Sequence, residues 1–128
     1  MSTSSVSFVE PQELAQWLKT DNSGTIVIDV RDTDFTGNRI PGSRNMPANQ
    51  FIENVDILIE NLQQQEPKPN KIVFHCQHSK ERGPNAARLF RKKSLNALPS
   101  IEVYNLHGGF HEYEQIFKDD ETMLEKIF

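Results

Sequence analysis

Cys76 is the one cysteine of the chain, and Arg82 follows it after five residues, with Gly83 and Pro84 directly behind. A cysteine is a strong nucleophile only as the thiolate, and an adjacent guanidinium or a helix start favours that charge. Free backbone N–H groups at a helix N-terminus attract anions for the same reason. They suit a tetrahedral oxyanion as well, because a guanidinium offers two parallel hydrogen bonds to a pair of its oxygens. Nucleophile and substrate cradle are thus one loop, matched to phosphate, arsenate or sulfate-like groups. A lone cysteine after an apolar strand is ordinarily a small core residue. Here Gln77, His78, Ser79, Lys80 and Glu81 form a polar run that no core accommodates, which favours the chemical reading.

The elements around the loop must hold it open. Lys71-Ile72-Val73-Phe74 reads as a buried strand and the segment after the loop as a helix opened by Pro84 at its first position. Leu14, Trp17 and Leu18 behind Pro11 mark an earlier helix, and Thr25 to Val30 a strand. Broken structure is expected over 33–47, with a brief strand around 43–46, and Val55, Leu58, Ile59 and Leu62 mark the next helix. In the helix after the loop, Ala86, Leu89 and Phe90 form the inner stripe to about Leu95, with Arg88, Arg91, Lys92 and Lys93 as a solvated outer face. Ile101 to Leu106 reads as a strand, Phe110, Tyr113, Ile116 and Phe117 as a helix, and 121–128 as a final helix. Such alternation implies an α/β fold with a mostly parallel sheet covered by helices on both faces, whose ligands bind beyond the carboxyl ends of the strands.

With 128 residues the chain suits one domain spanning 1–128. A net charge of −4 argues against nucleic acid or an anionic membrane as the partner. One cysteine excludes an internal disulfide and any resolving thiol within the chain. If Cys76 forms a redox adduct, the second thiol comes from outside, as from glutathione or glutaredoxin. The first residues lack the basic flank and apolar stretch of a secretory signal, and no run has the length of a membrane span, so a cytoplasmic or nuclear protein is expected. His75, His78, His107 and His111 lack the companion ligands of a metal site, and none is expected.

Two flanking segments carry a resemblance. IVIDVRDTDFTGNRIPGSRNMP at 26–47 and LHGGFHEYE at 106–114 look like the two signatures of the rhodanese-like domain. Between them HCQHSKERGP at 75–84 is similar to the active loop of the M-phase inducer (cell-division-cycle type) dual-specificity phosphatases and the yeast-type arsenate reductases, matching at His75, Cys76, Ser79, Arg82, Gly83 and Pro84. The resemblance implies a single rhodanese-like domain with a five-stranded central sheet. Sulfur-transferring members of that fold characteristically have a loop one residue shorter, so the gap here points to a wider ring and an oxyanion.

By the same resemblance Cys76 attacks phosphorus or arsenic, Arg82 binds the oxyanion, and backbone N–H groups of Gln77, His78, Ser79, Lys80, Glu81 and Arg82 complete the cradle. Glu81 matches the glutamate before the arginine and is the expected proton donor, with His78 as the loop residue that could otherwise supply a proton near neutral pH. Gln77 departs from the glutamate that often follows the cysteine, and Arg39 from a common histidine. Asp29, Arg31 and His75 are expected to brace the site, Ser79 to stabilise the turn, and His107 to lie near the same face. The expected activity is a cysteine-dependent phosphatase of protein-tyrosine or dual-specificity type, working through a cysteinyl-phosphate and also open to arsenate reduction. The alternatives are a glutathione- and glutaredoxin-dependent arsenate reductase, and a sulfurtransferase or non-catalytic binding module. The expected substrate is a phosphoprotein or a small oxyanion, with no bound cofactor.

Overall fold

A computed structural model describes residues 5–20 and 24–127. In chain order the elements are β1 (Val6–Val9), α1 (Pro11–Thr20), β2 (Thr25–Asp29), β3 (Asn38–Arg39), β4 (Arg44–Asn45), α2 (Ala48–Gln64), β5 (Lys71–His75), α3 (Arg82–Ser94), β6 (Glu102–Leu106), α4 (Gly109–Phe117) and β7 (Glu125–Lys126). Five strands form one parallel sheet in the order β1-β6-β5-β2-β4. The chain is therefore the expected α/β domain with a five-stranded parallel sheet.

The central strands β2 and β5 are unbroken apolar runs because both faces of the sheet are covered. Alternate side chains divide between the two faces. Ile26, Ile28, Ile72 and Phe74 pack with Phe51, Val55, Leu62 and Phe90 of α2 and α3. Val27 and Val73 pack with Leu14, Phe110 and Tyr113 of α1 and α4. Each large side chain so buried contributes about 1.5–3 kcal/mol of transfer free energy. The result is a rigid sheet whose carboxyl edge presents the ends of β2 and β5 side by side. Asp29 and His75 are register partners there.

Three local expectations are corrected, and one strand that the sequence pattern does not mark is added. The short edge strand β1 has too little local pattern to announce itself, and its pairing with β6 makes it a strand. Helix α3 begins at Arg82, so Pro84 is its third residue rather than its first. A proline is tolerated there because the first four N–H groups of a helix have no intrahelical partner. The expected final helix is a turn followed by β7, antiparallel to β3, while Phe128 lies outside the described residues. Asp120 accepts the N–H and hydroxyl of Thr122, and the Tyr113 hydroxyl donates to the Met123 carbonyl, so side chains from outside the segment set its path.

The third correction is Arg91, which is buried at 2% exposure instead of lying on the solvated face of α3. Its guanidinium donates to the carbonyls of Leu98 and Ile101 and to the Ser94 hydroxyl. Those carbonyls belong to the connection from α3 to β6, where the Leu98 carbonyl also accepts the Ile101 N–H at 3.4 Å, so the guanidinium ties that connection to α3. No described helix is long and apolar enough to cross a membrane.

Candidate active site

Strand β5 ends at His75, and the next residue, Cys76, opens the loop to α3. Its sulfur is nearly buried, at 3% residue exposure, and accepts the backbone N–H groups of Ser79 at 3.1 Å and Gly83 at 3.4 Å. Ser79 has φ +54°, an uncommon left-handed conformation for a residue with a side chain. That bend turns the chain around the sulfur. Two groups from the start of α4 hold the loop from behind, Phe110 N–H to the Cys76 carbonyl at 3.0 Å and His111 N–H to the Gln77 carbonyl at 2.8 Å.

This docking explains the second signature. A Cβ on Gly109 would stand 2.7 Å from the carbonyl oxygens of Cys76 and Gln77, and the residue has φ +66° besides. Only glycine allows α4 to begin there. Gly83 is comparably crowded, since a Cβ would meet Oδ1 of Asn105 at 2.7 Å and the His75 backbone at 3.2 Å. The first turn of α3 thus lies against the sheet, with the Gly83 N–H turned to the sulfur.

Arg82 shows its fork geometry on a neighbour. Its Nη1 and Nη2 donate to the two carboxylate oxygens of Asp34 at 2.8 and 2.6 Å, and Nη1 also approaches Asp32 Oδ2 at 3.4 Å. These hydrogen bonds hold the Asp34 carboxyl down at about 2. The same bonds hold Arg82 firmly in its charged form. Asp32 also accepts the N–H of Asn49, which fixes the loop after β2 to the start of α2. Sequence reasoning missed both acids, although the Asp-Thr-Asp run directly after Asp29-Val30-Arg31 was a visible signal.

An oxyanion bound by Arg82 uses the fork that Asp34 occupies, so the two compete. Both side chains are about a third exposed, at 33% and 37%, and solvent screening limits such a pair to about 1 kcal/mol. Asp34→Asn is therefore expected to lower the inhibition constant for inorganic phosphate by up to about fivefold. An unchanged constant, measured with the fold intact, shows that Asp34 does not compete.

Behind the loop Asp29, Arg31 and His75 form a buried polar cluster. Arg31 donates from Nε and Nη2 to Asp29, with the shortest contact at 2.8 Å, from Nη2 to the Asn38 carbonyl at 3.0 Å, and from Nη1 to Gln77 Oε1 at 3.2 Å. Its guanidinium carbon also lies 4.3 Å from the centre of the Phe110 ring. The first signature is thereby joined to the loop and to α4. Gln77 directs its amide oxygen to this cation, a contact that uses the amide as an acceptor.

His75 is fully buried, with Nδ1 3.3 Å from the Cys76 carbonyl and Nε2 3.8 Å from Asp29. Burial pushes its pKa down; Asp29 opposes that and Arg31 adds to it. The folded protein thus binds the His75 proton less readily than the unfolded chain does. Stability on this account is full above the ordinary histidine value of 6.5 and falls as the pH drops below it, with a slope limited to about 1.4 kcal/mol per pH unit. Urea denaturation between pH 7.5 and 5.5 is expected to show a falling midpoint for wild type and a flatter one for His75→Gln. Equal slopes would remove His75 from the account.

The remaining candidates spread around the mouth. Lys80 and Glu81 are exposed, Glu81 being the residue before the first turn of α3. His78 is exposed, with its ring 5.1 Å from that of His111. His107 instead pairs with Glu10 at 2.8 Å, and Arg39 with Glu125 at 2.6 Å. Neither is tied to the Cys76 loop. Beside Arg82 opens a cleft of about 380 Å³, walled mainly by Phe51, Ile52, Ala86 and Leu89. Among the described residues no group of histidine, cysteine, aspartate and glutamate could hold a metal ion.

The model of the rhodanese-like domain matches residues 10–116. The dual specificity phosphatase ibp1 of Schizosaccharomyces pombe is 32% identical, over 95% of this chain and 98% of its own length. A crystal structure of Saccharomyces cerevisiae Ygr203w, described as a homologue of single-domain rhodanese and the Cdc25 phosphatase catalytic domain, superposes with a TM-score of 0.86 at 26% identity, covering 100% of this chain and 94% of that one. The As-Sb reductase of Leishmania major follows with a TM-score of 0.74 at 27% identity, over 97% and 88% of the two chains. With both signatures, the loop and the sheet order in agreement, the chain belongs to the rhodanese-like domain family, in the branch that includes the M-phase-inducer-type phosphatases.

Proposed function

We propose that the protein is a cysteine-dependent phosphatase, with Cys76 as nucleophile and Arg82 as oxyanion ligand. The observation that carries this reading is the Cys76 sulfur facing the N–H groups of Ser79 and Gly83, with the arginine fork at the start of the same helix. The oxygens of a bound phosphate monoester take up the loop N–H groups and, in place of Asp34, the Arg82 fork. The Cys76 thiolate attacks phosphorus, the P–O bond to the ester oxygen breaks, and that oxygen leaves with a proton. Water then attacks the cysteinyl-phosphate and releases inorganic phosphate.

Glu81, exposed beside the loop, supplies the proton in this scheme, since Gln77 carries none and is engaged by Arg31. The apolar cleft next to Arg82 suits an aromatic or aliphatic leaving group, in keeping with a phosphoprotein substrate. The lone free thiol needs a reducing compartment, which supports the cytoplasm or nucleus.

Arsenate reduction is a second reading, favoured by the likeness to the Leishmania reductase and by the absence of a second thiol in the chain. Arsenate condenses on Cys76 with loss of water, and external glutathione attacks the sulfur. Arsenic is reduced by two electrons to arsenite, leaving a mixed disulfide that glutaredoxin resolves. Purified protein assayed with an aryl phosphate, and separately with arsenate plus glutathione and glutaredoxin, distinguishes the two. Turnover in neither assay sinks both.

A further inference from the structure

The cleft of about 380 Å³ beside Arg82 runs between the first turns of α2 and α3. Ala48, which opens α2, and Ala86 of α3 line it with one methyl each, so the two helices leave space that longer side chains would fill. Phe51 and Leu89 add apolar wall. Ile52 completes it at 75% exposure, a large apolar side chain held in water by a helix. An exposed isoleucine alone needs no explanation, but one that continues an apolar cleft at the mouth of a reactive loop marks a place where a ligand is seated.

The lining narrows the occupant. Arg82 both walls the cleft and holds the oxyanion in the proposed chemistry, so a group seated there belongs to the same ligand as the oxyanion. No carboxylate and no lysine lines it, and the Asn85 side-chain oxygen already accepts from Arg88, so the seated group is uncharged and apolar. Displacement at phosphorus runs in line, with the leaving oxygen opposite the Cys76 sulfur. The phosphorylated side chain therefore points out of the loop, and the cleft lies to one side of that axis. The next side chain along a peptide reaches it, since neighbouring Cα atoms are about 3.8 Å apart. Free phosphate or arsenate has no apolar part to place there. The other exposed groups around the mouth, His78, Lys80 and His111, are polar, so the apolar contact is one-sided. From this we propose that the cleft selects phosphopeptides with a large apolar residue directly beside the phosphorylated one, Ile52 and Leu89 being the specificity-determining residues. The proposal rests on the phosphatase reading and extends it to the choice of substrate.

The test compares phosphotyrosine dipeptides, capped at both ends, with leucine or alanine placed before or after the phosphotyrosine. For one of the two placements the leucine peptide should exceed its alanine counterpart about tenfold in kcat/KM. In Ile52→Asn and in Leu89→Asn that ratio should fall to about two or less. A ratio of two substrates on one enzyme is insensitive to a general loss of activity, and Ile52 is too exposed for its substitution to unfold the chain. The same four peptides built on a non-hydrolysable phosphonate, titrated by calorimetry, separate this proposal from the catalytic reading. A leucine preference in affinity without turnover of any phosphopeptide supports the cleft and removes the phosphatase. Turnover with equal kcat/KM for leucine and alanine at both placements overturns the proposal and leaves the phosphatase standing. The proposal also falls if the phosphonates show no leucine preference, or if the preference persists undiminished in both variants.

Discussion

Cys76→Ser is expected to lower the turnover of an aryl phosphate by at least about a thousandfold, leaving the fold and the affinity for inorganic phosphate close to those of wild type. The serine hydroxyl is nearly isosteric with the thiol and can accept from the same two amides, Ser79 and Gly83. It is far less nucleophilic at neutral pH, so no phosphoenzyme forms. Binding survives because the oxyanion contacts come from backbone N–H groups and Arg82 rather than from sulfur. Rapid-quench mass spectrometry should therefore find a phosphate adduct on Cys76 of wild type and none on the variant. Residual turnover within about tenfold of wild type would remove Cys76 from the chemistry, and arsenate reduction should fail in the same variant because it needs the same sulfur.

Asp29→Asn is expected to cost about 3–5 kcal/mol of stability. Asp29 and Arg31 are 0% and 1% exposed and carry the ion pair together. Removing the carboxylate strands a guanidinium that has no route to water. Against the 5–15 kcal/mol typical of a folded domain, such a loss leaves a substantial unfolded fraction at growth temperature. Arg31 also holds Gln77 and lies over Phe110, so the Cys76 loop and the start of α4 should loosen together. Urea denaturation measures the stability, and hydrogen exchange at the Phe110 and His111 amides measures the loosening. The double change Asp29→Leu with Arg31→Met should regain much of the loss, since a well-packed apolar pair removes both desolvation penalties. A single-variant loss under about 1 kcal/mol would mean the cluster is not what braces the loop.

These predictions rest on features of unequal visibility. The Gly108-Gly109 pair was legible as a motif, but its reason emerges only where α4 meets the carbonyls of Cys76 and Gln77. Arg91 reads as one of four cations on a polar face because helical periodicity says nothing about the carbonyls of the next connection. The segment after Asp120 looked helical by composition and became β7 because β3 offers it a partner and Tyr113 anchors Met123.

By itself the sequence determined the candidate nucleophile Cys76, the arginine that follows it, the spacing between them and the two central strands. Each of these is local: a reactive pair within one loop, or apolar runs long enough to fill a sheet buried on both faces. The tertiary structure alone decided what surrounds that loop. Asp34 meets Arg82 across 48 positions, Gln77 meets Arg31 across 46, and Asn105 comes to rest against Gly83. The physical reason is reach: hydrogen bonds and ion pairs act over a few ångströms, and only the parallel strand order brings residues so distant in the chain within that range.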